Sequence, residues 1–190
     1  MKAFDLFRPK DLFQAFSRLE LNQHETVLKS GGTDLLIWIK KGLVSPKEVV
    51  DLSSIDSLNE IEVKEGEGIL IGTNVSLNRI IDHPEMKRRF PALIEACETH
   101  SDAVLRNKAT LVGNVCSAVP SGDTIPPLLC YEAEAVVQTS CSKRHLPLPR
   151  LIIGPRKKSI SKTEIVTHVW IPLLKADLSV GAYRRASRRR

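Results

Sequence analysis

Lys29-Ser30-Gly31-Gly32-Thr33-Asp34-Leu35 decides how this chain is read. The apolar run Thr26-Val27-Leu28 before it reads as a strand, and Leu35-Leu36-Ile37-Trp38-Ile39 after it reads as the body of a helix. A glycine pair between a strand and a helix leaves backbone N–H groups at the positive end of the helix dipole. Such a turn is a seat for a phosphate. A second segment, Arg106-Asn107-Lys108-Ala109-Thr110-Leu111-Val112-Gly113-Asn114, sets Gly beside Asn before another apolar stretch, and Asp123 follows in Pro120-Ser121-Gly122-Asp123. Two phosphate-type turns, with a carboxylate able to accept from ribose or ribityl hydroxyls, point to a large nucleotide ligand. The first turn does not match GxGxxG, and GxxxxGK[ST] does not occur. Taken singly, each feature has a plainer reading: Gly31-Gly32 as a turn, Asp34 as a first-turn acid, Asn114 as a turn residue, Asp123 as a cap before Thr124. Their order along one chain gives them weight.

Outward from the first turn, Pro9 suits a first helical turn. Leu12, Phe13, Phe16 and Leu19 recur at helical spacing, which predicts a helix over about 9–21. A strand at about 26–29, a helix ending at Gly42 and a buried strand at Val49-Val50-Asp51-Leu52 follow. With a short first strand from Ala3 to Leu6, the order is β-α-β-α-β, which favours a small, mostly parallel sheet. After Asp56 the pattern changes. Ile61-Glu62-Val63 and Gly68 to Gly72 read as a hairpin turning at Lys64-Glu65-Gly66-Glu67. Ser76 is placed to cap a helix through Ile81, Pro91 to Glu98 reads as another, and Pro126-Pro127-Leu128-Leu129 has helix-start character. Ala133 to Thr139 and Ile165 to Ile171 read as strands. The expected division is an N-terminal βαβ lobe over 1–55, an α+β lobe over 56–176, and a basic segment over 177–190, taken as the start of a truncated C-terminal domain.

The 190 residues suffice for one large domain or two small lobes with a true core. At 42% hydrophobic and 26% charged, the composition is that of a globular protein. No apolar run approaches the roughly 20 residues of a membrane span, and Met1 to Pro9 lacks a secretory apolar region; the expected location is cytoplasmic. The net charge of +6 is concentrated: Arg184, Arg185, Arg188, Arg189 and Arg190 are five of the 28 basic residues, leaving 23 against 22 acidic ones. A near-neutral body with few aromatics argues against nucleic acid as partner. Cys97, Cys116, Cys130 and Cys141 form no CxxC pair. They suit neither a zinc site nor an iron–sulfur loop, and read as small buried apolar residues.

Five colinear stretches together resemble a known family. They are Leu28 to Leu35; Ile71-Gly72-Thr73-Asn74-Val75-Ser76-Leu77; Arg106 to Asn114; Pro120-Ser121-Gly122-Asp123 with Pro126 to Leu129; and Glu164-Ile165-Val166 with Ile171-Pro172, followed by Ala182-Tyr183-Arg184-Arg185-Ala186-Ser187-Arg188-Arg189. In this order they resemble the FAD-binding domain of the molybdenum hydroxylases, the type found in xanthine, aldehyde and carbon-monoxide dehydrogenases. The resemblance implies an α+β, two-lobed fold of the molybdopterin dehydrogenase type with FAD in the cleft. It implies that Leu28, Lys29, Ser30, Gly31, Gly32, Thr33, Asp34 and Leu35 surround the pyrophosphate. Thr110, Leu111, Gly113 and Asn114 form a second clamp, Asp123 accepts from FAD hydroxyls, Val166 packs on the cofactor and Arg184 approaches it. His100 falls where some relatives carry an aromatic residue near the cofactor, though a surface or packing role is the plainer reading.

On this resemblance no residue of the chain acts as a general acid or base. Molybdopterin would lie on a large partner subunit and two [2Fe–2S] clusters on a small one, with electrons leaving FAD for an acceptor such as NAD+. One departure stands out: relatives usually carry Gly-Gly-Asn where this chain has Val112-Gly113-Asn114, and a Cβ at Val112 could crowd a close backbone approach. The alternative functions are an assembly protein of the same fold that no longer binds FAD and a basic-tailed nucleic-acid binder.

Overall fold

The computed structural model describes residues 2–22, 25–173 and 181–186. A parallel three-stranded sheet and an antiparallel five-stranded sheet, with helices packed on them, give a mixed α+β fold.

The first sheet runs in the order β1 (Asp5–Phe7), β3 (Glu48–Asp51), β2 (Thr26–Lys29). Parallel neighbours need crossover connections, supplied by α1 (Leu12–Leu21) and α2 (Thr33–Lys40). The central strand is buried at all four residues, as its apolar Val49-Val50 pair requires. Helix α1 lays Ala15, Phe16 and Leu19 against Val50 and Leu52. It begins at Leu12, later than the expected 9, because the Asp11 carboxylate caps it by accepting from the Gln14 N–H at 2.8 Å. Pro9 lies before the cap, where its carbonyl accepts from the Ser54 hydroxyl at 2.6 Å. The Glu48 carboxylate is buried, and the Arg18 guanidinium, donating from two nitrogens, neutralises it. Helix α2 ends at Lys40, before Gly42.

Two short 3-10 turns, Leu52–Ser54 and Asp56–Leu58, lead into the second sheet. Its order is β4 (Ile61–Lys64), β5 (Gly68–Gly72), β10 (Ile165–Pro172), β6 (Glu134–Gln138), β7 (Lys143–Pro147), antiparallel throughout. Gly66 supplies the left-handed residue (φ 73°) of the β4–β5 hairpin. Between β5 and β6 come six helices: α3 (Leu77–Asp82), α4 (Pro84–Arg89), α5 (Pro91–Thr99), α6 (Ala103–Arg106), α7 (Leu111–Ser117) and α8 (Ile125–Cys130). Leu77, Ile80, Met86, Leu93, Leu111, Val115 and Leu128 from these helices meet Ile69, Ile71, Ala135, Val137 and Val169 of the sheet in the main core. A short helix α9 (Leu148–Leu151) and the hairpin β8 (Ile152–Gly154)–β9 (Lys157–Lys158) precede β10. The first residue of β10, Ile165, packs in the core of the first sheet, and the next, Val166, in that of the second. The two layers are thereby joined along one wall.

The cysteines depart from the buried reading. Cys97 is buried and Cys116 half-buried, but Cys130 and Cys141 are exposed. Among the described residues no helix is long and apolar enough to cross a membrane. The arginines Arg188, Arg189 and Arg190 lie outside the described residues.

Candidate functional site

The two glycine segments, remote in sequence, touch. A Cβ on Gly31 would lie 1.8 Å from the carbonyl oxygen of Lys108, so glycine at 31 lets the first turn press on the backbone of the second segment. Gly32 takes the left-handed conformation (φ 76°) that turns strand β2 into helix α2, and no side chain caps that helix. Among the described residues the N–H groups of Gly31 to Leu35 have no backbone or side-chain acceptor. Ser30 fixes the turn from below: its hydroxyl lies 2.9 Å from the Thr73 carbonyl and 2.8 Å from Oδ1 of Asn74. Lys29 turns its ammonium to Asp51 at 2.9 Å. Burial raises the Asp51 pKa, but hydrogen bonds from Lys29 and Ser53 outweigh it and hold the carboxyl below the usual range.

The second segment is held as firmly. The Leu77 N–H donates to the Ala109 carbonyl at 2.9 Å. Thr110 caps α7, its hydroxyl accepting from the Gly113 N–H at 3.0 Å. A Cβ on Gly113 would stand 2.7 Å from that hydroxyl, a structural reason for this glycine. Val112, the departure from the family pattern, is 2% exposed and belongs to the main core, and it also lines the cleft. Asn114 is buried, its Oδ1 accepting from the Thr124 hydroxyl at 2.7 Å.

Between the two segments opens a cleft of about 470 Å³. Leu28 to Leu35, Thr110, Gly113, Asn114 and Val166 all line it. Its floor and far wall, which the sequence reading passed over, bring Thr73, Trp38, Cys116, Lys158 and the loop from Ile160 to Glu164. His100, read as a surface or packing residue, also lines the cleft, and its Nδ1 is 3.2 Å from Oδ2 of Asp123.

Three expected residues do not line the cleft. Leu111 is wholly buried in the core. Asp123 is buried behind His100 and caps no helix, the position before α8 being Thr124. Its oxygens take the Tyr183 phenol at 3.1 Å and the Arg185 guanidinium at 3.4 Å. Burial, then the adjacent Asp123 charge, push the Tyr183 pKa up and keep the phenol a donor. Arg184 lies outside, its guanidinium 3.3 Å from Glu95. Among the described residues no group of three or more His, Cys, Asp or Glu side chains could hold a metal ion.

Residues 2–174 match the profile of a family described as the FAD binding domain in molybdopterin dehydrogenase. The chain belongs to this family. Curated relatives include the xanthine dehydrogenase FAD-binding subunit of Escherichia coli O157:H7, 28% identical over 165 residues, covering 87% of this chain and 56% of that protein. The nicotinate dehydrogenase FAD-subunit of Eubacterium barkeri is 29% identical over 195 residues, covering 100% and 65%. This FAD-binding domain thus spans 56–65% of the length of these relatives. A solved structure of carbon monoxide dehydrogenase from Hydrogenophaga pseudoflava superposes with a TM-score of 0.88 at 24% identity, over 92% of this chain and 61% of the other; it shares the fold.

The cleft of this FAD-binding domain has features that fit a flavin dinucleotide. Unpaired N–H groups at the start of α2 suit a pyrophosphate, the Gly31 contact leaves no side chain above the turn, and Lys158 and Lys162 add positive charge to the walls.

Proposed function

We propose that this domain holds FAD between its two glycine segments and works as the electron-transfer part of a molybdenum-containing hydroxylase. Bound FAD supplies a redox centre that accepts and releases electrons. The residues of the chain bind and orient it. The N–H groups of Lys29 to Asp34 hold the pyrophosphate, with Leu28 and Leu35 around it. Thr110, Gly113 and Asn114 form the facing clamp, with Leu111 anchoring α7 in the core. Val166 packs on the cofactor, Asp123 accepts from its hydroxyls, and Arg184 moves from Glu95 to approach it. Large molybdopterin and small iron–sulfur subunits are the proposed partners and NAD+ the proposed acceptor.

The observation that carries this reading is the uncapped, unpaired start of α2, facing the second segment across an open cleft. A visible absorption spectrum of the purified chain, before and after adding FAD, tests it. Flavin bands that co-elute with the protein and are lost on denaturation are expected. A colourless chain that FAD does not reconstitute would overturn the reading.

A further inference from the structure

Trp38 is not among the residues through which the family resemblance assigns FAD binding, yet among the described residues it is the one aromatic carbocycle on the cleft wall. It sits on α2 five residues after the helix begins, roughly 7–8 Å along the axis at 1.5 Å per residue. That is about one sugar's length from the turn that seats the pyrophosphate. Ile39, next to it, is the α2 residue that enters the core, so packing of the helix does not demand a tryptophan at 38.

The ring is held from behind. Arg156, which does not line the cleft, places its guanidinium 5.7 Å from the Trp38 ring centroid, within cation–π range. Arg156 is itself fixed at some cost. It has φ 59° in the β8–β9 turn, and its N–H donates at 2.8 Å to the carbonyl of Ala118, which has φ 47°. Two non-glycine residues in the left-handed region, one ending α7 and one in the β8–β9 turn, are bonded to each other, each at a conformational cost. The backbone of Arg156 is thereby fixed where its guanidinium reaches the Trp38 ring. The cleft wall in which the ring stands also carries Cys116 and Ile160, which offer apolar surface.

We propose that Trp38, backed by Arg156, is a stacking platform for a flat heteroaromatic ring of the bound dinucleotide. This rests on the cofactor reading above. The ring is either the purine or the isoalloxazine of FAD, both of which offer a π-face at the end of a sugar or sugar alcohol. Stacking on an aromatic side chain is strong enough to read as a clear affinity change.

The test is calorimetric titration of the full chain and of its Trp38→Leu and Trp38→Phe variants with FAD, ADP and FMN, with circular dichroism to check folding. Trp38→Leu is expected to bind FAD about tenfold more weakly, the low-to-middle range of a lost base stack, and Trp38→Phe to recover most of that loss. If the loss recurs with ADP, the ring is the purine; if it recurs with FMN, it is the isoalloxazine. FAD binding by folded Trp38→Leu at wild-type strength, or equal losses in both variants, would overturn the proposal while leaving the cofactor reading intact. A wild-type chain that binds no FAD would overturn both.

Discussion

Gly31 and Gly32 are adjacent and are glycine for different reasons. At Gly31 the barrier is a neighbour: a methyl group would meet the Lys108 carbonyl at 1.8 Å. At Gly32 the barrier is the backbone, with φ at 76° and only the flexible Lys29 side chain nearby. Gly31→Ala must therefore push the two segments apart, and a cost of about 1–3 kcal/mol from overpacking is expected, with FAD binding weakened as well. Gly32→Ala is expected to cost about 1–2 kcal/mol of stability through left-handed strain. Denaturant melts with and without FAD separate the two, since only Gly31→Ala should also widen the cleft. The thiols divide equally sharply. Burial pushes Cys97 up to about 12 and raises Cys116, whereas Cys130 and Cys141 are exposed. Iodoacetamide at neutral pH should label Cys130 and Cys141 within minutes and leave Cys97 unmodified until the chain unfolds, as intact-mass spectrometry would register.

At the level of elements, strand β10 carries a built-in pH response. His168 sits in it between β5 and β6, beside a bulge, with its Nδ1 buried and unpartnered among the described residues. Burial, then the nearby Lys143, lower its pKa to about 4 against the opposing pull of Glu62. The unfolded chain takes up a proton as the pH falls through 6.5, while the folded chain does not until about 4. Stability is full above that window and declines as the pH drops through it, by up to about 3 kcal/mol. In His168→Leu the drop in melting temperature between pH 7.5 and pH 5 should shrink; an unchanged drop would remove His168 as its cause. Strands β10, β5 and the parallel strands were legible in the sequence because each carries an apolar pair or longer apolar stretch. Helices α4, α6 and α7 were not, because each has seven residues or fewer, too short for a clear apolar period. Nor was β7, because Lys143-Arg144-His145 on an edge strand carry no apolar signal. The glycine turns of the site were legible as local motifs. The far wall of the cleft, from Trp38 to Glu164, was not, because only tertiary folding brings α2 to the loop before β10.

For the whole molecule, the cleft draws its walls from both sheets: β2 and α2 on one side, α7 and the start of β10 on the other. A ligand bound there holds the layers together, so it must stabilise the entire chain and not one layer. At a free FAD concentration 100 times its dissociation constant, the expected gain is about 2.7 kcal/mol in a single cooperative transition. Two separate melting steps, with FAD shifting only one, would contradict that coupling.

Asp123 shows what such binding must contend with. A carboxylate offers about four lone-pair positions, and three donors, from His100, Tyr183 and Arg185, already address this one. On the role proposed for Asp123, an FAD hydroxyl that reaches this carboxylate meets donors already in place among the described residues, each tethered to the same chain. Entry is then a competition with an internal rival present at high effective concentration, and the measured dissociation constant reports the outcome of that contest. Removing the rival with Tyr183→Phe should tighten FAD binding even though the variant deletes a hydrogen bond.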